Sequence, residues 1–311
     1  MPSAAEIDVC VASYKRPELL ENLLRALLAQ ETDGRFGFRI AVADNDRQGS
    51  AEPVVRKLAS AARGTEIAYA VEPEQSVSLA RNKSLSLARG DFVATTDDDL
   101  RPDRRWLAEL HRALVAHEAD VVHGPVAPEF RPGTPGWIRE CPVFNRPSPP
   151  TGSTDGYFPT TANSLFRRAL VADLAQPFDP RFGRTGGEDS AFFNRLRARG
   201  ARMIWSREAI VHGPVPAARA NLRWILTRRF RYGNMHPING SGVKREDLRA
   251  ALGLVVRQGI AAPCWFAAGL VDRRYRDRGM KSVTAILLHV AFALGIAAHY
   301  ARFQYEEYRP R

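Results

Sequence analysis

Asp91-Phe92-Val93-Ala94-Thr95-Thr96-Asp97-Asp98-Asp99 is a short apolar run that stops on three consecutive carboxylates. Phenylalanine, valine and threonine in its middle give it the composition of a buried strand. Three adjacent carboxylates repel one another unless a cation or strong donors hold them. At the end of a buried strand they make a hard oxygen site suited to Mg2+ or Mn2+. Such an ion neutralises a diphosphate and helps it depart. The plain alternative is a solvated acidic loop ahead of a helix, with Asp103 near the helix start.

The same pattern repeats upstream. Strand-like runs at 7–12, 39–43 and 66–71 end on the polar clusters 13–16, 44–46 and 72–75. Helical stretches lie between them. After Pro17, suited to a first helical turn, Leu20, Leu24 and Leu28 lie beside Leu19, Leu23 and Leu27 as one broad apolar stripe ending near Gln30. Further helices are expected at 52–62, at 76–88 with Ser76 as cap and Gly90 after its end, and at 106–117, before a strand at 120–123. This alternation predicts an α/β protein with a Rossmann-like, mostly parallel sheet flanked by helices. Ligands of such sheets bind beyond the carboxyl ends of the strands, where the polar clusters gather. No GxGxxG follows the first strand and no GxxxxGK[ST] occurs, so neither a dehydrogenase-type dinucleotide site nor a P-loop is supported.

Downstream, residues 124–160 are rich in proline and glycine and read as a long loop with little fixed secondary structure. Order returns near Asn163-Ser164-Leu165-Phe166. A helix follows Gly186-Gly187-Glu188-Asp189, with Phe192, Phe193 and Leu196 on one face, and a strand pair at 201–205 and 209–212 closes the body. Residues 217–311 read as a basic amphipathic helical tail. Its two apolar stretches are 250–271 and 283–300, the second marginal against the ~20 residues a membrane span needs. Helices lying in a membrane interface fit it better.

At 311 residues, 45% hydrophobic and 25% charged, the chain is of ordinary globular composition, which excludes collagen, low-complexity disorder and disulfide miniproteins. Cys10, Cys141 and Cys264 are far apart, pointing to a reducing compartment and away from a zinc knot. The N-terminus lacks the basic and apolar regions of a cleavable signal. Net charge is +11, and it is unevenly placed. Residues 1–216 hold 28 basic and 28 acidic side chains, whereas 217–311 hold 17 and 6. A neutral body with a basic tail implies an anionic surface as partner, a membrane or a nucleic acid.

Other candidate chemistry is less self-evident. Glu188 and Asp189 would sit at a helix N-terminus, where the dipole favours the ionised form. One of them can serve as a general base toward an acceptor hydroxyl, or both can merely stabilise the helix. Asp44 and Asn45 offer an acceptor and a donor to a base edge, and Tyr14 a ring to stack on it; turn chemistry is the bland reading. Arg81, beside Asn82, can reach a phosphate or make a surface ion pair. His212 can complete a metal shell or be structural; His123 reads as structural.

Together these motifs resemble glycosyltransferase family 2, of the GT-A fold. Ser13-Tyr14-Lys15-Arg16-Pro17 resembles its first-strand exit, Val42-Ala43-Asp44-Asn45-Asp46 its nucleotide-binding acidic turn, and Ser78-Leu79-Ala80-Arg81-Asn82 the segment before the metal strand. Asp97-Asp98-Asp99 is similar to its DxD motif and Gly187-Glu188-Asp189 to its ED motif. Gly183 to Asp189 and Arg228 to Gly233 add a narrower resemblance to bacterial exopolysaccharide glucosyltransferases of the succinoglycan type.

The resemblance implies Asp189 as base, with Glu188 beside it. It implies a nucleotide-sugar site made of Ser13, Tyr14, Arg16, Asp44, Asn45, Arg81, Asn82, Asp97 and Asp98, and Mg2+ or Mn2+ on Asp97 and Asp99, with His212 as a further candidate ligand. It also implies a UDP-sugar donor and a lipid-linked or free saccharide acceptor. The enzyme would lie peripherally on an anionic membrane surface, the cytoplasmic face of the bacterial inner membrane, with no nucleic acid. The expected division is a catalytic domain over 1–216 and the membrane-associating tail over 217–311. Asn45 departs from the family pattern, where many members carry a second aspartate. Processive synthases carry Gln-x-x-Arg-Trp, of which Leu222-Arg223-Trp224 keeps only part, so a polymerising synthase is not expected. A nucleotidyltransferase acting on a sugar phosphate and a basic nucleic-acid-binding protein are the competing readings; the acidic strand ends count against the second.

Overall fold

The computed structural model describes residues 5–62, 64–235, 263–265, 267–268 and 273–306. It alternates β1 (Ala5–Ser13), α1 (Pro17–Leu28), β2 (Phe36–Asp44), α2 (Glu52–Ala61), β3 (Ile67–Val71), α3 (Val77–Ser86) and β4 (Phe92–Thr96). Leu20, Leu23, Leu24 and Leu27 are buried on α1, the i, i+3, i+4, i+7 face that the leucine pattern predicts. Ser76 caps α3 by accepting the Leu79 amide at 3.3 Å.

Then come β5 (Arg101–Pro102), α4 (Trp106–Ala116), β6 (Val121–His123), β7 (Val126–Phe130), α5 (Gly136–Arg139), β8 (Asn163–Arg167), α6 (Glu188–Ala198), β9 (Met203–Trp205), β10 (Val211–Val215), α7 (Leu222–Met235) and a long helix, α8 (Arg273–Tyr300). The large sheet has seven strands in the order β3-β2-β1-β4-β8-β6-β9. It is parallel except for β8, which runs antiparallel to both its neighbours. β4 and β6 are therefore not adjacent: the segment expected only to restore order near Asn163 wedges between them. Asn163 fixes this wedge. Its Oδ1 accepts from the Trp106 indole, and its amide nitrogen donates to the carbonyls of Pro125 and Ala209.

Two expectations are corrected. Residues 124–160 are not structureless, because they include β7 and α5. The strands at 203–205 and 211–215 do not pair with each other. β9 is fully buried and joins the large sheet in parallel with β6, whereas β10 is the middle strand of a small sheet, β5-β10-β7.

The chain forms two compact units. One runs to Ala127 and resumes over Pro147–Pro214; the other takes Pro128–Arg146 with Val215–Tyr305. The first unit's core fills both faces of the large sheet, with Trp106, Leu107 and Leu110 on one side and Phe166, Phe192 and Phe193 on the other. The second has a small core of Ile138, Cys141, Ile225 and Leu288. The apolar stretch at 250–271 lies largely outside the described residues. The other belongs to a 24-residue helical segment, Asp277–Tyr300, long and apolar enough by composition to cross a bilayer; 22% of its apolar 18-residue window is buried in the protein.

α7 and α8 approach closely at glycines. A side chain at Gly233 would fall on the Phe292 carbonyl oxygen, and one at Gly295 on the Phe230 carbonyl oxygen. Backbone cannot yield as a side-chain tip does. Gly233→Ala should cost about 1–3 kcal/mol through overpacking, read as a lowered unfolding midpoint of the second unit. An unchanged midpoint would show that the two helices do not cross here.

Candidate active site

Sheet register brings the strand-end polar residues to one level. Ser13 pairs with Asp44 across β1 and β2, and Asp44 with Val71 of β3. Cys10 pairs with Thr95 across β1 and β4, so three residues further along both strands Ser13 meets Asp98. Ser13 Oγ donates to Asp98 Oδ2 at 2.8 Å. Arg16 follows Lys15, whose φ of 53° turns the chain back over the sheet edge. Its guanidinium lies 3.2 Å from Asp98 and 3.5 Å from Asp99. Asp98 is thus an internal strut. Burial pushes its carboxyl up to about 6, with Arg16 and Ser13 opposing and Asp99 and Asp97 adding.

Asp97 and Asp99 remain more open, their side chains 42% and 25% exposed. Across from them the backbone turns through Gly186 and Gly187, both left-handed with φ of 74° and 91°, into α6. This presents Glu188 and Asp189 at the helix N-terminus. Arg81 of α3 stands between the two acidic groups. Its guanidinium is 3.1 Å from Asp97 Oδ1 and hydrogen-bonded to Glu188 Oε1. Glu188 is buried, and its other oxygen, Oε2, has no hydrogen-bond partner among the described residues. Burial raises both the Asp97 and the Glu188 carboxyls, with Arg81 opposing in each case. Asp189 adds to both; Asp99 adds to Asp97. Asp97, Asp99, Glu188 and Asp189 therefore share one electrostatic neighbourhood, with Arg81 paired to Asp97 and Glu188 and Arg16 to Asp99.

The remaining expected residues frame this centre. Asp44 is fully buried and accepts from the amides of Asp46 (3.0 Å) and Ala51 (2.7 Å) and from the Tyr69 hydroxyl (3.0 Å). Asn45 donates to the carbonyls of Glu72 and Glu74 and accepts from the Ser76 amide. It clasps the loop between β3 and α3. Asn82 likewise exchanges two hydrogen bonds with the Phe178 backbone, at 2.7 and 2.8 Å. The structure thus gives both asparagine amides loop-holding partners. Tyr14 is half-buried, with the Lys15 ammonium 5.2 Å from its ring centroid. His212 stands opposite Arg101 on the small sheet, its Nε2 2.9 Å from Asp103. His123 is wholly buried against Ser164 and pushed down to about 3 by burial and Arg197, which keeps it neutral.

Sequence reasoning missed the Tyr69 hydroxyl and the contact of Gly183 with Ser76. The latter holds the glycine loop against the start of α3, where the Val77 amide meets the Gly183 carbonyl. No local signal marks either, because each partner lies far along the chain.

The donor set decides whether a divalent cation suits this edge. Among the described residues, no three His, Cys, Asp or Glu side chains close on one point. Mg2+ and Mn2+ do not require that; one or two carboxylates complemented by substrate phosphates and water suffice. Asp97 and Asp99, both oxygen donors and both partly open, fit that arrangement.

Comparisons with known proteins give the family and the fold. The model of glycosyl transferase family 2 matches residues 8–175. A succinoglycan biosynthesis protein, ExoM, of Rhizobium meliloti (strain 1021) is 38% identical over 74% of this chain and 74% of its own length. In fold, the chain is similar to a mannosyltransferase of Pyrobaculum calidifontis, solved in complex with GDP-Man and Mn2+. The TM-score is 0.61 at 19% identity, covering 93% of this chain and 87% of that one. It is also similar to S. aureus TarS 1–349 in complex with UDP, with a TM-score of 0.53 at 19% identity and 96% and 92% covered. The architecture is the GT-A fold.

Removing Arg81 should expose what it holds. Arg81→Met leaves Glu188 a buried, unpaired charge and should cost about 3–5 kcal/mol. Adding Glu188→Gln should restore most of the loss, because the neutral amide needs no counter-ion. Chemical denaturation of the two variants checks this; an uncorrected double variant would contradict the pairing.

Proposed function

From the premise that the chain belongs to glycosyltransferase family 2, and so is a transferase, we propose that it is an inverting, metal-dependent enzyme. It moves a sugar from a UDP-sugar donor to a hydroxyl of a lipid-linked or free saccharide in exopolysaccharide synthesis. The observation that carries the reading is the Arg81 guanidinium bridging Asp97 of the β4 end and Glu188, the neighbour of Asp189, with Asp189 close enough to Asp97 to act on its carboxyl. One side of that cluster suits a diphosphate, the other a hydroxyl about to lose its proton.

In this reading the nucleoside lies against Tyr14 at the sheet edge above Asp44 and Asn45, whose hydrogen bonds fix the neighbouring loops. Asp97 and Asp99 would hold Mg2+ or Mn2+, which when bound would supply positive charge to a departing diphosphate. Asp98 holds the β4 end to β1 through Ser13 and Arg16. Arg81 supplies positive charge at the same edge, and Glu188 fixes its direction. Asp189 accepts the proton of the acceptor hydroxyl as its oxygen forms the bond to the anomeric carbon. The nucleoside diphosphate leaves from the opposite face. One base suffices for a single displacement, whereas retention through a covalent intermediate requires a second carboxylate as nucleophile, an analogy from glycoside hydrolysis. His212, paired with Asp103, serves the small sheet beside the site. A UDP complex of the S. aureus relative and a GDP-Man and Mn2+ complex of the Pyrobaculum relative support the donor class and the ion.

The excess charge of 217–311 and the mostly unburied apolar helix α8 support peripheral attachment to an anionic membrane face, the cytoplasmic side of a bacterial inner membrane. Cosedimentation with anionic vesicles tests this.

Loss of a general base costs ~10²–10⁴-fold in rate. Asp189→Asn should lower kcat by that order while UDP binding, followed by calorimetry, persists. Asp97→Asn should instead weaken UDP binding in the presence of Mn2+ and leave it unchanged in EDTA. Near-normal turnover of Asp189→Asn would remove it from the role. A nucleotidyltransferase would release pyrophosphate from a nucleoside triphosphate rather than UDP from a UDP-sugar.

A further inference from the structure

Arg81 also borders a cavity of about 10 Å3 in the first unit, about the room that one water molecule needs. Thr95 lies two residues after Val93 on β4, so both face the same core layer. Thr95 forms part of the cavity wall, together with Thr161 just ahead of β8, Ser84 of α3 and Phe178. Thr95 and Thr161 are only 6% and 2% exposed, and the Oγ1 of each has no hydrogen-bond partner among the described residues. A hydroxyl buried in that way gives up its hydration and gains nothing in return.

An apolar cavity of this size stays dry, whereas one with hydroxyls left to satisfy takes water. Ser84 supplies a third group. Its Oγ donates to the Arg81 carbonyl at 3.0 Å and keeps lone pairs for a further bond. A water that accepts from Thr95 and Thr161 and donates to Ser84 makes three bonds, the usual number for a buried water. A cation does not suit the cavity, because Arg81 is part of its wall.

The cavity also joins the two elements that the Arg81 bridge depends on. Thr95 stands two residues before Asp97 on the strand that ends in the carboxylates. Ser84 stands one helical turn after Arg81 on α3, tied to its carbonyl. Phe178 lies 5.9 Å from the Arg81 guanidinium, measured to the ring centroid. A water between Thr95 and Ser84 therefore links the strand that carries Asp97 to the helix that carries Arg81.

We propose that Thr95, Thr161 and Ser84 bind one internal water that braces α3 against β4, which makes Thr161 a positioning residue for Arg81. The positioning role rests on the sugar-transfer reading above, whereas the water does not.

The test uses the full chain. A crystal structure at high resolution should show one ordered water in contact with all three hydroxyl oxygens. Thr161→Val keeps the shape of the side chain and removes the hydroxyl. An unpaired hydroxyl would make that change stabilising, because an unsatisfied polar group is lost; a hydroxyl that holds water makes the unfolding midpoint fall. Thr95→Val should lower it too, and the double variant should lose less than the two single losses added, since both act through one water. UDP binding with Mn2+, followed by calorimetry, should weaken about fivefold in Thr161→Val, the equivalent of one hydrogen bond. It should recover in Thr161→Ser, which keeps the hydroxyl.

No ordered water at the three hydroxyls, a raised midpoint for Thr161→Val, or fully additive losses would overturn the water site. Wild-type affinity for UDP in Thr161→Val would overturn the positioning role. A wild type that binds no UDP would sink the sugar-transfer reading and that role with it, while the density and the midpoints still decide the water.

Discussion

A guanidinium shared between carboxylates of two different elements, Asp97 and Glu188, is the arrangement on which this site depends. Like charges so close together cannot all stay ionised in a partly buried cleft without compensation. Arg81 provides it from within the chain, bridging Asp97 of the β4 end and Glu188 of the α6 start. The bridge also separates two groups. On the Asp97 side are the more open carboxylates, proposed above for a cation and its diphosphate; on the Glu188 side, the adjacent Asp189, proposed above as the base, lies at the N-terminus of α6.

The bridge holds because both banks are anchored. The β4 end is tied to β1 by Ser13 and Arg16 through Asp98. The α6 bank is tied back by the Gly183 contact with Ser76, and by Asn82 on the Phe178 backbone. Asn45 does the same for the loop entering α3. These asparagines stand where nucleotide contacts were expected, and their amides hold the neighbouring loops. Asparagine suits that work, since its amide donates and accepts at once.

Much of this was legible in the sequence. The strand at 91–96 and the leucine helix at 17–28 announce themselves through local composition and period, and the parallel register of β1, β2 and β4 follows from their alternation with helices. That places Ser13, Asp44 and Asp97 to Asp99 at one edge before any coordinate is known. What escaped was non-local. β8 reverses into the middle of the sheet, held by Asn163 hydrogen bonds to Trp106, Pro125 and Ala209. Nothing within residues 163–167 names those partners. Likewise β9 and β10 sit close in sequence but in different sheets, and the prolines and glycines of 124–160 concealed β7 and α5. Arg81 was recognisable as a residue of the site, but not as the link to Glu188, 107 positions away.

The most direct test of the account is diffraction from crystals grown with Mn2+ and UDP, with anomalous scattering used to locate the metal. The account predicts one Mn2+ bound by Asp97 and Asp99 together with diphosphate oxygens, with Arg81 still paired to Glu188. UDP bound at the sheet edge with no ion beside those aspartates, or Mn2+ held elsewhere in the chain, would contradict it.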